Sequence, residues 1–330
     1  MFIPEGKNKK EVFVIAHGFG SSKEGNSTEI IISWKKERKR KMENQKSKKM
    51  LIISLVIILV IALVIVVVLN KKDNLKTENQ GEDVKAQSII QELKEEIIQE
   101  NSKVSVGEYV IPKEKDFTWE NVEGGVAITG YTGVHKTIKI PEKLNGKNVV
   151  EIKEEAFMLN VVAQKGVELK GIEIGEHIKI IGDRVFYAQT KLEEVILGEN
   201  LEKIGDNAFF SCKALKKIEL NEGLVSLGNY AFASAGIQYI ELPKTLKTIG
   251  NNTFMWCNGL KTIVIKEGVE KIPAGCFSKC ISLSKVVMPN SLNEIGDNIF
   301  GDLDVTIYAA EGSKAKKYAQ EFGYKFEKID

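Results

Sequence analysis

The sequence predicts a repeat solenoid preceded by one membrane-spanning helix, and three observations predict it. First, a phrase recurs at a fixed period. Each copy places a phenylalanine five residues after an aliphatic residue, as in Ile181/Phe186, Ile204/Phe209, Leu227/Phe232, Ile249/Phe254, Ile272/Phe277 and Ile295/Phe300. Successive phenylalanines fall 23, 23, 22, 23 and 23 residues apart. A period of this length means stacked supersecondary units. Second, each copy holds a short alternating run such as Lys217-Ile218-Glu219-Leu220, the pattern of a strand with one buried face. Third, residues 50–69 run without charge, glycine or proline.

Taken in order, residues 1–49 form a polar segment that is basic near its end. The stretch 35–49 holds nine Lys/Arg. The apolar run 50–69 follows directly. At about 1.5 Å per residue it reaches roughly 30 Å as a helix, enough to cross a bilayer. It is longer than the apolar core of a signal peptide and ends Val-Val-Val-Leu-Asn-Lys-Lys, with no small-residue cleavage site. An uncleaved signal-anchor is the expectation. The basic flank precedes the run and acids soon follow it, so the positive-inside rule places residues 1–49 in the cytoplasm and the rest outside. The basic flank reads as a topology signal, and the near-neutral repeat region carries no electrostatic footprint for nucleic acid.

Residues 70–117 read as a stalk and linker. Ile89, Ile90, Leu93, Ile97 and Ile98 give a short amphipathic helix a narrow apolar stripe. Residues 118–133 hold strand-like residues around the turn Gly124-Gly125 and form a hairpin cap. A solenoid needs such a cap because a terminal coil has no neighbour to cover its core. The array occupies 134–308, starting at Thr137-Ile138-Lys139-Ile140. An irregular first copy has Ile152 and Phe157, with an insertion near Leu159–Val167. Ala235-Gly236 marks a one-residue deletion, and Pro273 stands where other copies have glycine. Residues 309–330 form a C-terminal cap helix, with Ser313 at its start and Gly323 at its end.

The I-G-x-x-A-F-x-x-C-x-x-L-x-x-I-x-L/I-P pattern of these copies resembles the BspA-like leucine-rich repeats of bacterial surface proteins. The resemblance implies a curved right-handed array with parallel strands on one, concave face, and a role in adhesion or interaction. Residues 11–25, with His17-Gly18-Phe19-Gly20, resemble a fragment of an α/β-hydrolase. The G-x-S-x-G elbow of that family is missing, and the other histidines, His135 and His177, sit in the array. No triad follows, and the fragment reads as a remnant or as an upstream misreading, with Met42 as an alternative start.

Chemistry is sparse. Cys212, Cys257 and Cys280 share one repeat position, and Cys276 lies four residues before Cys280. They read as small buried thiols or, outside the cell, as partners in a disulfide between stacked coils. No histidine completes a metal set. The sequence therefore points to no enzyme and no cofactor. It points to a single-pass membrane protein whose external array binds a protein or glycan, or alternatively to a structural component of the cell envelope. With strands lining one face, the candidate partner residues at outward positions are Ile196, Tyr239, Thr262, Val264 and Val287, joined by Trp256 on a turn.

Overall fold

A computed structural model of the protein describes residues 106–159 and 167–329, together with Gln91. These belong to one compact unit, residues 76–330. The hydrolase-like fragment, the basic stretch, the apolar run 50–69, most of the amphipathic segment and the centre of the insertion all lie outside the described residues. Among the described residues, no helix is long and apolar enough to cross a membrane.

The repeats build a β-solenoid with parallel strands on two faces. The long-strand face carries β3 (Thr137–Lys139), β6 (Gly171–Glu173), β8 (Glu194–Ile196), β10 (Lys217–Ile218), β12 (Tyr239–Leu242), β14 (Thr262–Ile265), β16 (Lys285–Val287) and β18 (Thr306–Ala309). The other face carries β5 (Lys147–Ile152) and then two-residue strands: β7 (Ile180–Ile181), β9 (Lys203–Ile204), β11 (Ser226–Leu227), β13 (Thr248–Ile249), β15 (Lys271–Ile272) and β17 (Glu294–Ile295). The expected parallel strands on one face are the long-strand face, and a second parallel ladder forms on the other. Each coil has a second extended piece after its first strand, and except between β13 and β15 it pairs with its counterpart in the next coil, because parallel backbones stacked in register satisfy one another along both pieces.

Pairing is in register. Ile172 faces Val195, Val195 faces Ile218, and Ile240 faces Ile263. Each face is nevertheless interrupted once, and each interruption has a local cause. On the long-strand face the ladder stops between β10 and β12, where the repeat is one residue short. There Gly236 lies so close to the preceding coil that a Cβ would sit 2.2 Å from Lys213 O. On the other face it stops between β13 and β15. Gly205, Gly228, Gly250 and Gly296 each donate a backbone N–H to the coil before. Pro273 holds the equivalent position and has no N–H to give.

The core is a column of aromatic rings. Phe157, Phe186, Phe209, Phe232, Phe254, Phe277 and Phe300 are fully buried. Neighbouring rings stack with centroids 5.0–5.9 Å apart. Cys212, Cys257 and Cys280 fill the space beside them, and each thiol donates to the carbonyl of an earlier phenylalanine, Phe186, Phe232 and Phe254 respectively. All four cysteines are free and buried. Burial pushes the Cys212 and Cys276 thiols well up from the usual thiol range, so they remain protonated and inert at neutral pH.

Both ends of the column are closed by aromatic residues outside the repeats. At the first end β1 (Phe117–Val122) and β2 (Gly125–Tyr131) form an antiparallel hairpin, and β2 pairs in parallel with β5. Tyr131 stacks on Phe157, and Phe117 packs against Tyr131 with its ring tilted by 46°. The short β4 (Lys143–Leu144) pairs antiparallel with β5. At the other end α1 (Lys314–Phe322) lies across the last coil. The Ser313 hydroxyl accepts from Lys316 N, and Gly323 ends the helix at φ 76°, in the left-handed region. The Tyr318 ring meets Phe300 edge-on, and its hydroxyl accepts from Ile299 N. The chain then adds β19 (Lys325–Lys328), parallel to β18.

Residues 106–116 are not a free linker. Val110 bridges Ile138 at the open edge of β3, donating to Thr137 O and accepting from Lys139 N. The Thr137 hydroxyl donates to Val106 O. A single 3-10 turn, Glu114–Asp116, then leads into β1.

Candidate interaction surface

The inward residues of the long-strand face, among them Ile138, Ile172, Val195, Ile218, Ile240, Ile263, Val286 and Ile307, are buried in the core. The outward residues form two rows. On either side of the break between β10 and β12, one row reads Thr137, Gly171, Glu194, Lys217 and then Tyr239, Thr262, Lys285, Thr306; the other reads Lys139, Glu173, Ile196, with Glu219 just past β10, and then Glu241, Val264, Val287, Tyr308. The sequence-based candidates fall into three groups on this frame.

Ile196 is exposed and Tyr239 half-buried on the outward face. Trp256 is also exposed, but it sits on the turn that follows Phe254, away from the strand rows. Its backbone φ is 60°, a conformation that bulky residues rarely adopt. The same turn position in other coils is held by Ala188, Ser211, Ser234 and Lys279, all with positive φ. Thr262, Val264 and Val287 are buried, which corrects their assignment as contact residues. Val264 and Val287 form a small second cluster with Ile329, flanked by Tyr239 and Tyr308. The cause is the tail of the chain. After β19, Ile329 N bonds to Ala309 O, and the isoleucine side chain becomes part of the outward cluster.

The opposite end of the same face is covered too. Tyr109 lies over Gly171, and its hydroxyl donates to Glu194 Oε2 at 2.8 Å. Glu194 is buried, with its second oxygen paired to Lys217 Nζ. Burial first, and then the Glu194 carboxylate, holds the Tyr109 hydroxyl well above its usual pKa. Sequence reasoning missed this cover. The available signal was Gly171, a glycine at an outward strand position, which marks close approach of another chain segment.

Between the two covers lies an open window across β8, β10 and β12. It presents Ile196, Lys217, Glu219, Tyr239 and Glu241. The Tyr239 hydroxyl donates to Glu241 Oε1 at 2.8 Å. Lys266 pairs with Glu222 at 2.6 Å and with Glu241 at 3.6 Å. Burial, the Glu241 bond and the charges of Glu241 and Glu219 together raise the Tyr239 pKa far above the usual range, so the hydroxyl stays a donor. The window is a mixed surface of one apolar side chain, one aromatic donor and both signs of charge. Among the described residues no group of three or more His, Cys, Asp or Glu is placed to hold a metal ion.

Residues 179–306 match the BspA type Leucine rich repeat region, in six copies. Residues 179–306 are therefore BspA-type leucine-rich repeats. A leucine-rich repeat protein of T. pallidum has the same fold: 24% identity, 66% of this chain and 98% of that one, with a TM-score of 0.54. A leucine-rich repeat protein from Bacteroides ovatus matches at 20% identity over 67% of each chain, with a TM-score of 0.41. The pneumococcal vaccine antigen PcpA matches at 22% identity over 63% of this chain and 51% of that chain, also at 0.41. No curated protein matches the chain. At these identities the BspA-type likeness concerns fold, and it leaves the residues of the window without an assigned ligand.

Proposed function

We propose that this chain is a membrane-anchored, externally displayed interaction module that binds a protein or glycan through the open window of its leucine-rich repeats. The observation that carries the reading is the window itself. The chain's own segments cover both ends of the outward face and leave Ile196, Lys217, Glu219, Tyr239 and Glu241 accessible between them. Repeat arrays present extended surfaces of this kind, and their buried positions are consumed by stacking. The anchor and the external location rest on the apolar run 50–69 and the basic flank before it. The alternative, an envelope component without a dedicated ligand, is favoured by the self-paired charges of Lys266, Glu222 and Glu241.

Two experiments test the proposal. Proteinase treatment of intact cells should remove the array and spare the residues before the apolar run; full protection of the array would refute external display. Photo-crosslinking from position 219 on intact cells should capture a saturable partner. Tyr239→Ala with Ile196→Asp should abolish capture while the array stays folded. Capture that never saturates, or that survives both substitutions, favours the structural reading.

A further inference from the structure

The covered end of the outward face has the construction of a binding groove. Its floor is Gly171. A Cβ there would lie 2.9 Å from Val106 Cγ2 and 3.0 Å from the Tyr109 hydroxyl oxygen, so the absence of a side chain is what makes room. One wall is the open edge of β3, whose Thr137 carbonyl and Lys139 amide accept a parallel segment by backbone hydrogen bonds. The far end is the buried carboxylate of Glu194, anchored on its other side by Lys217 and ready to accept from a hydroxyl. The groove thus has an edge for the backbone, room over Gly171 for a methyl group and a hydroxyl, and an acceptor for that hydroxyl.

Its present occupant is held lightly. The strap 106–111 has two backbone bonds at Val110, the Thr137 hydroxyl on Val106 O, and the Tyr109–Glu194 bond. Gly107 adopts φ 93° with open space around it, and Val110 and Ile111 are exposed. A segment with few buried apolar groups and a small number of hydrogen bonds opens at low cost. When it leaves, Glu194 keeps its ion pair with Lys217, so no buried charge is stranded.

We infer that the edge of β3 with Gly171 and Glu194 is a docking site for an extended peptide that carries an aromatic hydroxyl, and that residues 106–111 are its cis-bound, displaceable occupant. The strap then gates the window beside it, since Lys217 belongs to both. This deepens the binding role proposed above, but its test uses no cellular partner, so a negative result here leaves the window reading standing.

The test is hydrogen exchange on the intact chain, followed by peptide binding. The amides of Val110 and Lys139 should exchange about 100-fold faster than that of Ile174 in the neighbouring ladder, and Tyr109→Phe should speed those two about ten-fold more while leaving Ile174 unchanged. A labelled peptide Val-Gly-Glu-Tyr-Val-Ile-Pro should bind full-length Tyr109→Ala at least about ten-fold tighter than the unaltered chain, because the competing strap is weakened. Adding Glu194→Gln should weaken that binding. Exchange of Val110 and Lys139 at the rate of Ile174, acceleration spread over the whole ladder, or equal peptide binding to both chains would each overturn the inference.

Discussion

Phe209 and Phe232 stack with ring centroids 5.1 Å apart and planes 2° from parallel. Each is the anchor of its coil, and the parallel stack follows from identical backbones displaced along one axis. Because both rings are wholly enclosed, truncating one leaves a void that the rigid coils on either side cannot fill. Phe232→Ala should lower the unfolding free energy by about 3–5 kcal/mol, measured by denaturant titration followed by circular dichroism. A loss under about 1 kcal/mol would mean that the column tolerates gaps.

Gly236 offers a different kind of test. The close approach to Lys213 O leaves no room for a methyl group, and the contact is to backbone, which cannot swing aside. Gly236→Ala should destabilise by about 1–3 kcal/mol, with disturbance at the junction of β10 and β12 visible in amide chemical shifts. Gly312 lies on the surface with nothing near its Cβ position, and Gly312→Ala serves as the neutral control.

Trp256 should behave as a residue kept for contact. Its left-handed backbone costs about 1–2 kcal/mol for a side chain of this kind, whereas asparagine tolerates that conformation. Trp256→Asn is expected to leave stability unchanged or raise it by up to about 1 kcal/mol in thermal melts. A fall in stability of that size would show that the indole is structural.

The tail is expected to protect the outward cluster. Ile329→Ala should cost about 1–2 kcal/mol and raise the fluorescence of a hydrophobic dye, since Val264 and Val287 lose their cover. Unaltered dye binding would show that Tyr239 and Tyr308 suffice.

Alkaline pH should weaken the fold through its tyrosines. Burial pushes Tyr131 up to about 12 and Tyr318 up to about 12, against an ordinary value of 10.0. The folded state therefore holds these protons more tightly than the unfolded state. The contribution is complete below pH 10 and is lost as pH rises from 10 towards 12. Denaturant midpoints between pH 9 and 11.5 should fall, and Tyr318→Phe should flatten the slope. A midpoint constant across that range would count against the burial of both hydroxyls.

Much of the array was legible from residues alone because each coil repeats the same demands. Phe186 through Phe300 announce the column, and Ile172, Val195 and Ile218 announce the inward strand positions by alternation. Ser313 and Gly323 mark in the chain the helix that they bound in the structure. The outward surface was harder to read. Thr262, Val264 and Val287 have the same alternation as Ile196, yet three are enclosed and one is open. For Val264 and Val287 no local pattern marks the difference, since it lies in Ile329, more than forty residues downstream in the chain. Glu194 likewise reads as an exposed strand residue, and it is buried by Tyr109, eighty-five residues away.

The sequence by itself therefore determined the period, the buried column and the identity of the repeats, because stacking makes each coil's environment a copy of its neighbour's. Only the tertiary structure decided which part of the outward face remains free. Two segments outside the repeats, residues 106–111 and Ile329, settle there by contacts of long sequence separation. Hydrophobic cover and a buried acceptor reward that placement without leaving any periodic mark in the chain.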